Sequence, residues 1–559
     1  MANPEQELLK ARLTLQVYRS IKDRKLTNLT YAWSPLPQWT AREDGHLETP
    51  GNSAVKQKNS EVDASPVPFP GVTRMVKDRE KDSEKKPARQ GAGAVKAKPN
   101  EIRASTPFDF KGENLTAYGG LLPVAAMLER LGFEQVVRDT ITIKRKTRAL
   151  PGYQFVVAMV MACYIGFSRL NHMRFLEREP MLTGILKVSS LPPQCTFWRF
   201  LAALTLPVAR QLLKVQRIMR ERVWAAANVK LTEATLDTDT TVHTLFGHQM
   251  GARKGYNPKN RGKKSYQPIL TFLAETREYI SGELHSGDRH SGKQIAQHIA
   301  DVIAALPSII QRVYARADSG FYCWEAVEAY ERWKCLYVIA ARKTSRLIEQ
   351  LQAARWTGSP RTDADGQCEF RYQPEGWPKA FRFVALRYKK KPKAAEPGQP
   401  EQYQLFDTPE YSYRVFVTNM DMPIDALVGF YRDRGGSENL IKEANNDAGL
   451  AAYPSVRWAM NCVHFQIAML AYNLNCWLML FNREESATPA DLKHTTLGTT
   501  RLRFLFIAAK IWTHAGRTGI HYSDHYAEQA IFGRLIERLR AITANSGVFN
   551  PVISTVFLN

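Results

Sequence analysis

The chain has 559 residues, which at about one domain per 150 residues is material for three or four domains and excludes a peptide or a single small module. Lys and Arg number 77 against 54 for Asp and Glu, a formal charge of +23 with a pI of 9.6. Because 44% of residues are hydrophobic and 23% charged, this excess is laid over a folding-competent chain: collagen-like, coiled-coil and wholly disordered classes drop out, and an anionic partner is favoured, nucleic acid before membrane surface.

The chain opens on Met1 to Arg19, polar and helical in pattern with no apolar leader, so export is not expected. Residues 1–104 continue into Pro-, Lys- and Glu-rich sequence such as KDREKDSEKKPAR and read as a disordered extension. Residues 105–230 read as a helical, DNA-binding domain. Its apolar run Phe155 to Phe167 is shorter than the roughly 20 residues that span a bilayer, and suits a buried helix. Thr196 to Phe200, after a Pro-Pro pair, opens a helix that either reads DNA or is anchored by its aromatics. Residues 231–341 change period, with strands expected at Ala234–Val242, Pro268–Ala274, Tyr279–Leu284, Val313–Ala317 and Leu336–Ala341, the first part of a mixed-sheet α/β core. Residues 342–420 read as a β-rich insertion with strands at Glu369–Tyr372, Phe381–Tyr388 and Tyr411–Thr418, and 421–559 as core completion and C-terminal helices, the last at Ala527–Ile542. Polar residues from Arg457 to Asn475 break the long apolar stretch from Ser455 to Phe481, so no membrane span is expected. The seven scattered cysteines form no C-x2-C pair and read as reduced thiols.

Three acidic motifs could carry chemistry. In LDTDTTVH, Asp237 and Asp239 share one face of a strand, where carboxylates are scarce and costly to bury; a metal ligand or an edge salt bridge explains them. In RVYARADSGFY, Asp318 ends an apolar strand, the place from which α/β enzymes project ligand-binding groups; the competing role is a helix cap, which Ser319 could take instead. In YRDRGGSENLIKE, Arg434, Glu438 and Lys442 follow at intervals of four on a helix, either a metal ligand among phosphate binders or a solvated charged face. Three carboxylates on separate elements of one α/β core are the donor set for hard divalent cations in phosphoryl transfer. Arg253, Lys254, Lys259, Arg261, Lys263 and Lys264, interleaved with Tyr256 and Tyr266, suit a phosphate backbone with stacked bases. His243, His285 and His290 read as structural or DNA-facing, and Lys389, Lys390, Lys391 and Lys393 as a solubilising or DNA-facing cluster.

In their order, LDTDTT, GYNPKNRGKKSYQP, HSGK, RADSGFY and YRDRGGSENLIKE resemble bacterial insertion-sequence transposases of the DDE class, in the branch with a β-strand insertion, nearest the insertion-sequence family numbered thirteen-eighty. The resemblance implies an RNase H-like mixed-sheet catalytic core with that β-rich insertion, preceded by the helical DNA-binding domain. It implies catalytic and metal-ligating roles for Asp239, Asp318 and Glu438, with Asp237 as runner-up for the first position. It further implies two Mg²⁺ ions, with Mn²⁺ as substitute, and DNA contacts from Tyr431, Arg434 and Lys442 beside Arg253, Lys254, Arg261, Lys263 and Lys264. The expected partners are terminal inverted repeats and target DNA, bound by a homodimer in a bacterial cytoplasm at the nucleoid. Two departures stand out: Asn445 lies where the branch has Lys, and the insertion's last strand offers Tyr411 and Tyr413 but no Trp. The alternatives are a nuclease of similar core that does not join strands, and an inactivated DNA-binding relative.

Overall fold

A computed structural model describes residues 102–143, 150–359, 361–389, 410–483 and 495–542. The chain divides into two compact units, Met1–Lys111 and Gly112–Asn559. Of the first, only 102–111 are described, and they hold no helix or strand; the rest of the expected extension lies outside the described residues. Every element below belongs to the second unit.

That unit is built on an eight-stranded mixed sheet. β2 (Glu233–Thr240), β8 (Arg312–Ala317) and β9 (Leu336–Ala340) run parallel at its centre. β6 (Ile269–Leu273) and β7 (Tyr279–Glu283) extend it antiparallel from β2. On the far side β12 (Tyr411–Thr418) pairs antiparallel with β9, and β11 (Phe381–Lys389) and β10 (Gly366–Tyr372) follow, giving the order β10-β11-β12-β9-β8-β2-β6-β7. The insertion strands are therefore one continuous sheet with the core, joined where Val417 faces Ile339. Two short strands with apolar sequence, β8 and β9, are buried on both faces, as parallel strands covered by helices are.

Helices cover the sheet. The first group is α1 (Leu121–Arg130), α2 (Phe133–Thr140), α3 (Gly152–Ile165), α4 (Pro180–Leu186), α5 (Gln194–Ala203) and α6 (Leu206–Ala226). α3 is apolar all round and buried, and it ends at Gly166, whose φ of +119 a side chain would resist. α5 is anchored by its aromatics: Phe200 stacks on Phe155 at 4.4 Å between centroids and Phe197 meets the same ring edge-on at 5.2 Å. The helical segment does not close a core of its own. One apolar cluster runs from α1 through α3 and α6 into α12 (Trp458–Phe481) and α14 (Gln529–Ala541), because α12 is buried on every side and needs neighbours on every side.

The polar groups of α12 are all aimed at protein. Asn473 accepts from Tyr279 N–H at 2.8 Å and donates to Tyr279 C=O at 2.8 Å, closing the free edge of β7 as a neighbouring strand would. Beneath it, buried Glu278 accepts from Arg220 Nε (3.2 Å), Trp224 Nε1 (2.8 Å), Trp477 Nε1 (2.7 Å) and Thr276 Oγ1 (2.6 Å), tying α6, α12 and β7 to one carboxylate. No described helix is long and apolar enough to cross a membrane.

Two smaller sheets complete the unit. β3 (His243–Thr244), β5 (Lys264–Tyr266) and β4 (Arg253–Lys254) form the first. The second is β1 (Leu115–Thr116) with β13 (Ala509–His514) and β14 (Arg517–Tyr522), where Ala515 and Gly516, both at positive φ, turn a hairpin that the sequence did not single out.

Candidate active site

The site follows from the register of two parallel strands. Asp237 on β2 stands opposite Arg316 on β8, and Thr238 opposite Ala317. Carried on by one residue, the same register sets Asp239 beside Asp318, both at the carboxyl ends of their strands. The 79-residue offset that separates the two acidic motifs is thus the register of the β2–β8 ladder.

The register divides the two acids of LDTDTT between different tasks. Asp237 is 2% exposed and accepts from Arg316 Nε at 2.6 Å and from a second guanidinium nitrogen at 2.7 Å. Burial pushes its carboxyl up and Arg316 pulls it back; the bidentate geometry is that of an ionised pair. Arg316 also donates to Phe430 C=O at 2.8 Å and lies 4.9 Å over the Phe430 ring. Asp237 is therefore fully engaged in a structural pair.

Asp239 faces α11. It is 9% exposed, and burial raises its carboxyl to about 6, against the pull of Arg434 and with a push from Asp318. Its Oδ2 accepts from Arg434 at 2.9 Å, and its Oδ1 from the Thr240 N–H at 2.8 Å. α10 (Ile424–Arg432) and α11 (Gly435–Asn446) meet at Arg434. Burial disfavours the guanidinium, but Asp239, Tyr431 and Asp318 outweigh it and hold Arg434 more firmly charged than usual. Tyr431 packs on Phe416 at 4.6 Å between centroids and lies 5.7 Å under the Arg434 guanidinium. Arg434 Nε and the Ser437 hydroxyl are buried and without a hydrogen-bond partner among the described residues.

Of the two candidate caps, Asp318 takes the role and Ser319 does not. Its Oδ1 accepts from the Gly320 N–H at 2.9 Å and caps the short helical turn Ser319–Phe321. A two-residue reach suits Asp, and Ser319 is left exposed. Gly320 leaves room here: a Cβ would lie 3.0 Å from Asp318 Oδ1 and 3.2 Å from Ser291 Oγ, tight enough that one of those side chains would have to give way. That contact brings the HSGK segment against RADSGFY.

Glu438 stands apart from this pair. It lies in the first turn of α11, exposed, one turn beyond Arg434, and among the described residues no group of three or more His, Cys, Asp or Glu is placed to hold a metal ion. Lys442 is exposed on the same helix. Asn445, standing where the resemblance puts a Lys, hydrogen-bonds His243 Nε2 at 2.9 Å, and the other nitrogen of that ring bonds the Tyr453 hydroxyl. Burial lowers His243 to about 4, so the imidazole is neutral at physiological pH. His285, also lowered by burial, lies 3.8 Å from Glu283, and His290 is exposed.

The basic residues Arg253, Lys254, Arg261, Lys263 and Lys264 are all exposed on or beside the β3-β5-β4 sheet. A close backbone approach ties that sheet to the HSGK side: a Cβ on Gly255 would fall 1.8 Å from Gly287 C=O. Of the lysine cluster only Lys389 is described, 3.6 Å from Glu410. Sequence reasoning missed Arg316 and the neutralising reach of Arg434; an Arg two residues before an Asp in an otherwise apolar strand was the available signal.

The family whose sequence model is described as "Transposase DDE domain group 1" matches residues 99–544. Among solved structures, the chain is similar to a piggyBac transposase synaptic complex with hairpin DNA determined by cryo-EM, at 12% identity over 67% of this chain and 78% of that one, with a TM-score of 0.36. The search of curated proteins found no match.

Proposed function

Because the chain belongs to the transposase DDE domain group 1 family, we propose that it cuts DNA at the terminal inverted repeats of an insertion sequence and transfers the freed ends into target DNA, on an RNase H-like core. The supporting observation is the Asp239–Asp318 pair at adjacent strand ends, with Arg434 against it. DDE transposases generally use divalent metal ions, and the pair fits one: both donors are hard oxygens, and Asp318 stands close enough to Asp239 to push its carboxyl up. A bound Mg²⁺ pair, or Mn²⁺, would supply Lewis acidity to the phosphate oxygens and lower the pKa of an attacking water.

The chain's own residues do the rest. Asp239 and Asp318 would hold the cations, and Glu438 would have to turn in from its exposed place in the first turn of α11 to join them. Asp318 keeps one carboxylate oxygen on the Gly320 N–H, which fixes its side chain. The partnerless Arg434 Nε and Ser437 hydroxyl are donors that a phosphate oxygen can take. Tyr431 orients Arg434, while Lys442 and the cations of the β3-β5-β4 sheet lie along the DNA backbone. Water cuts one strand at the element's end, and the resulting 3′-hydroxyl attacks target DNA. Two copies bridge two ends, in a bacterial cytoplasm at the nucleoid.

The test is Mg²⁺-dependent cleavage and joining of labelled DNA carrying the repeats that flank this gene, comparing the wild type with Glu438→Gln. Joining that disappears in the variant supports the reading. Cleavage without joining would favour a nuclease, and binding without cleavage, in Mn²⁺ also, a DNA-binding relative.

A further inference from the structure

Three large apolar side chains stand in solvent in the loops that join the strands of the small basic sheet: Phe246 at 84% exposure, Tyr256 at 73% and Met250 at 60%. The chain beside them is held from behind: the Leu245 N–H, one residue before Phe246, donates to Lys264 C=O at 2.9 Å. The Met250 N–H donates to Val456 C=O at 2.8 Å, and the Tyr266 hydroxyl donates to Met250 C=O at 2.6 Å. Gly251, at φ +79, lies where a Cβ would strike the Trp458 ring. Val456 is itself 54% exposed, so it and Met250 form one apolar patch. The turn after Tyr256 is also built: Asn257 and Asn260 both donate to Thr244 Oγ1, at 3.0 and 3.1 Å, and the Asn260 N–H donates to Asn257 Oδ1 at 3.1 Å. On this frame Arg253, Lys254, Lys259, Arg261, Lys263 and Lys264 are exposed, and none pairs with an acid among the described residues.

We propose that this module binds unpaired DNA, its bases stacking on Tyr256 and Phe246 while the cations follow the phosphates; the proposal rests on the reading that DNA is the ligand. Cations alone would serve a closed duplex, whose base faces are covered by their neighbours. Rings held out on a fixed backbone gain only from a ligand with free faces, and an unpaired base has two. A second copy of the chain is a poorer occupant, because it would bring a protein of charge +23 and the same cations against this face.

The full chain is titrated into fluorescein-labelled oligo(dT) of about 15 nucleotides, the span of one single-strand site, and into a duplex of equal length, at several salt concentrations. Tyr256→Ala and Phe246→Ala should each weaken oligo(dT) binding about tenfold, leave duplex binding nearly unchanged and keep the salt slope. Tyr256→Trp should restore affinity, which separates loss of the ring from loss of fold. Lys263→Ala with Lys264→Ala should weaken both ligands and reduce the salt slope by about two. Ring variants that bind oligo(dT) as the wild type does, or lose both ligands alike, would overturn the proposal. So would a wild-type dimer that Phe246→Ala dissociates without changing oligo(dT) binding. Cleavage reads the other claim separately: active enzyme with indifferent ring variants sinks this site alone, while ring-dependent oligo(dT) binding by a protein that never cuts sinks the enzyme reading alone.

Discussion

Replacing Asp239 with Asn should make the protein more stable at neutral pH, although it removes an ion pair. Burial is the main cause that moves this carboxyl from 3.8 to about 6, and the opposing attraction of Arg434 is already included in that balance. A rise of about two units corresponds to about 3 kcal/mol by which the ionised form is disfavoured in the folded chain. The side chain is 12% exposed, so solvent screening removes little of this. For an acid whose folded value is raised, the stabilising contribution is complete below the unfolded value and lost as pH rises through the folded one. The wild type therefore pays nothing near pH 4 and the full penalty above about pH 6, whereas Asn, which cannot ionise, avoids it throughout. Urea denaturation in chelator across that range should show the variant more stable at pH 8, by up to about 3 kcal/mol, with the gap closing toward pH 4. Adding Mg²⁺ should raise the wild-type midpoint more than the variant's. A variant less stable than wild type at pH 8, or a gap indifferent to pH, would refute the reasoning.

Arg316→Ala strands Asp237 as an unpaired buried acid and should cost about 3–5 kcal/mol, read as lost urea stability or soluble yield; a loss under 1 kcal/mol would show the pair to be incidental. Gly320→Ala pushes a methyl against Asp318 Oδ1 and should lower cleavage at least tenfold while the melting temperature shifts by only a few degrees. Asn473→Leu leaves the Tyr279 N–H without its partner, while the Tyr279 C=O keeps Arg220, and should destabilise by about 2 kcal/mol, with faster amide exchange at Tyr279 as the specific signature.

The strands that position the site were legible as short segments rich in β-branched, aromatic and small apolar residues: β2, β8 and β9 fall where Ala234–Val242, Val313–Ala317 and Leu336–Ala341 were expected. Spacing also held the register, although only the paired ladder shows that the same offset joins Asp237 to Arg316. Choosing between Asp237 and Asp239 needed that partner, since residues two apart on a strand share a face and look alike in sequence. Asp318 as its own cap depended on backbone angles that periodicity does not encode. The hairpin at Ala509–Tyr522 was hidden by its turn, Ala-Gly instead of Asn-Gly or Asp-Gly, and by strands mixing Lys, Trp, Thr and His. The shared core of α3, α6 and α12 joins segments about 300 positions apart, and periodicity reports which face is apolar, not what covers it.

The most direct test is single-turnover cleavage of a repeat-bearing DNA in Mg²⁺ by the wild type, Asp239→Asn and Asp318→Ala, with DNA binding measured on the same preparations. The account predicts that both variants bind as the wild type does and neither cuts. Cleavage retained by either variant would contradict it.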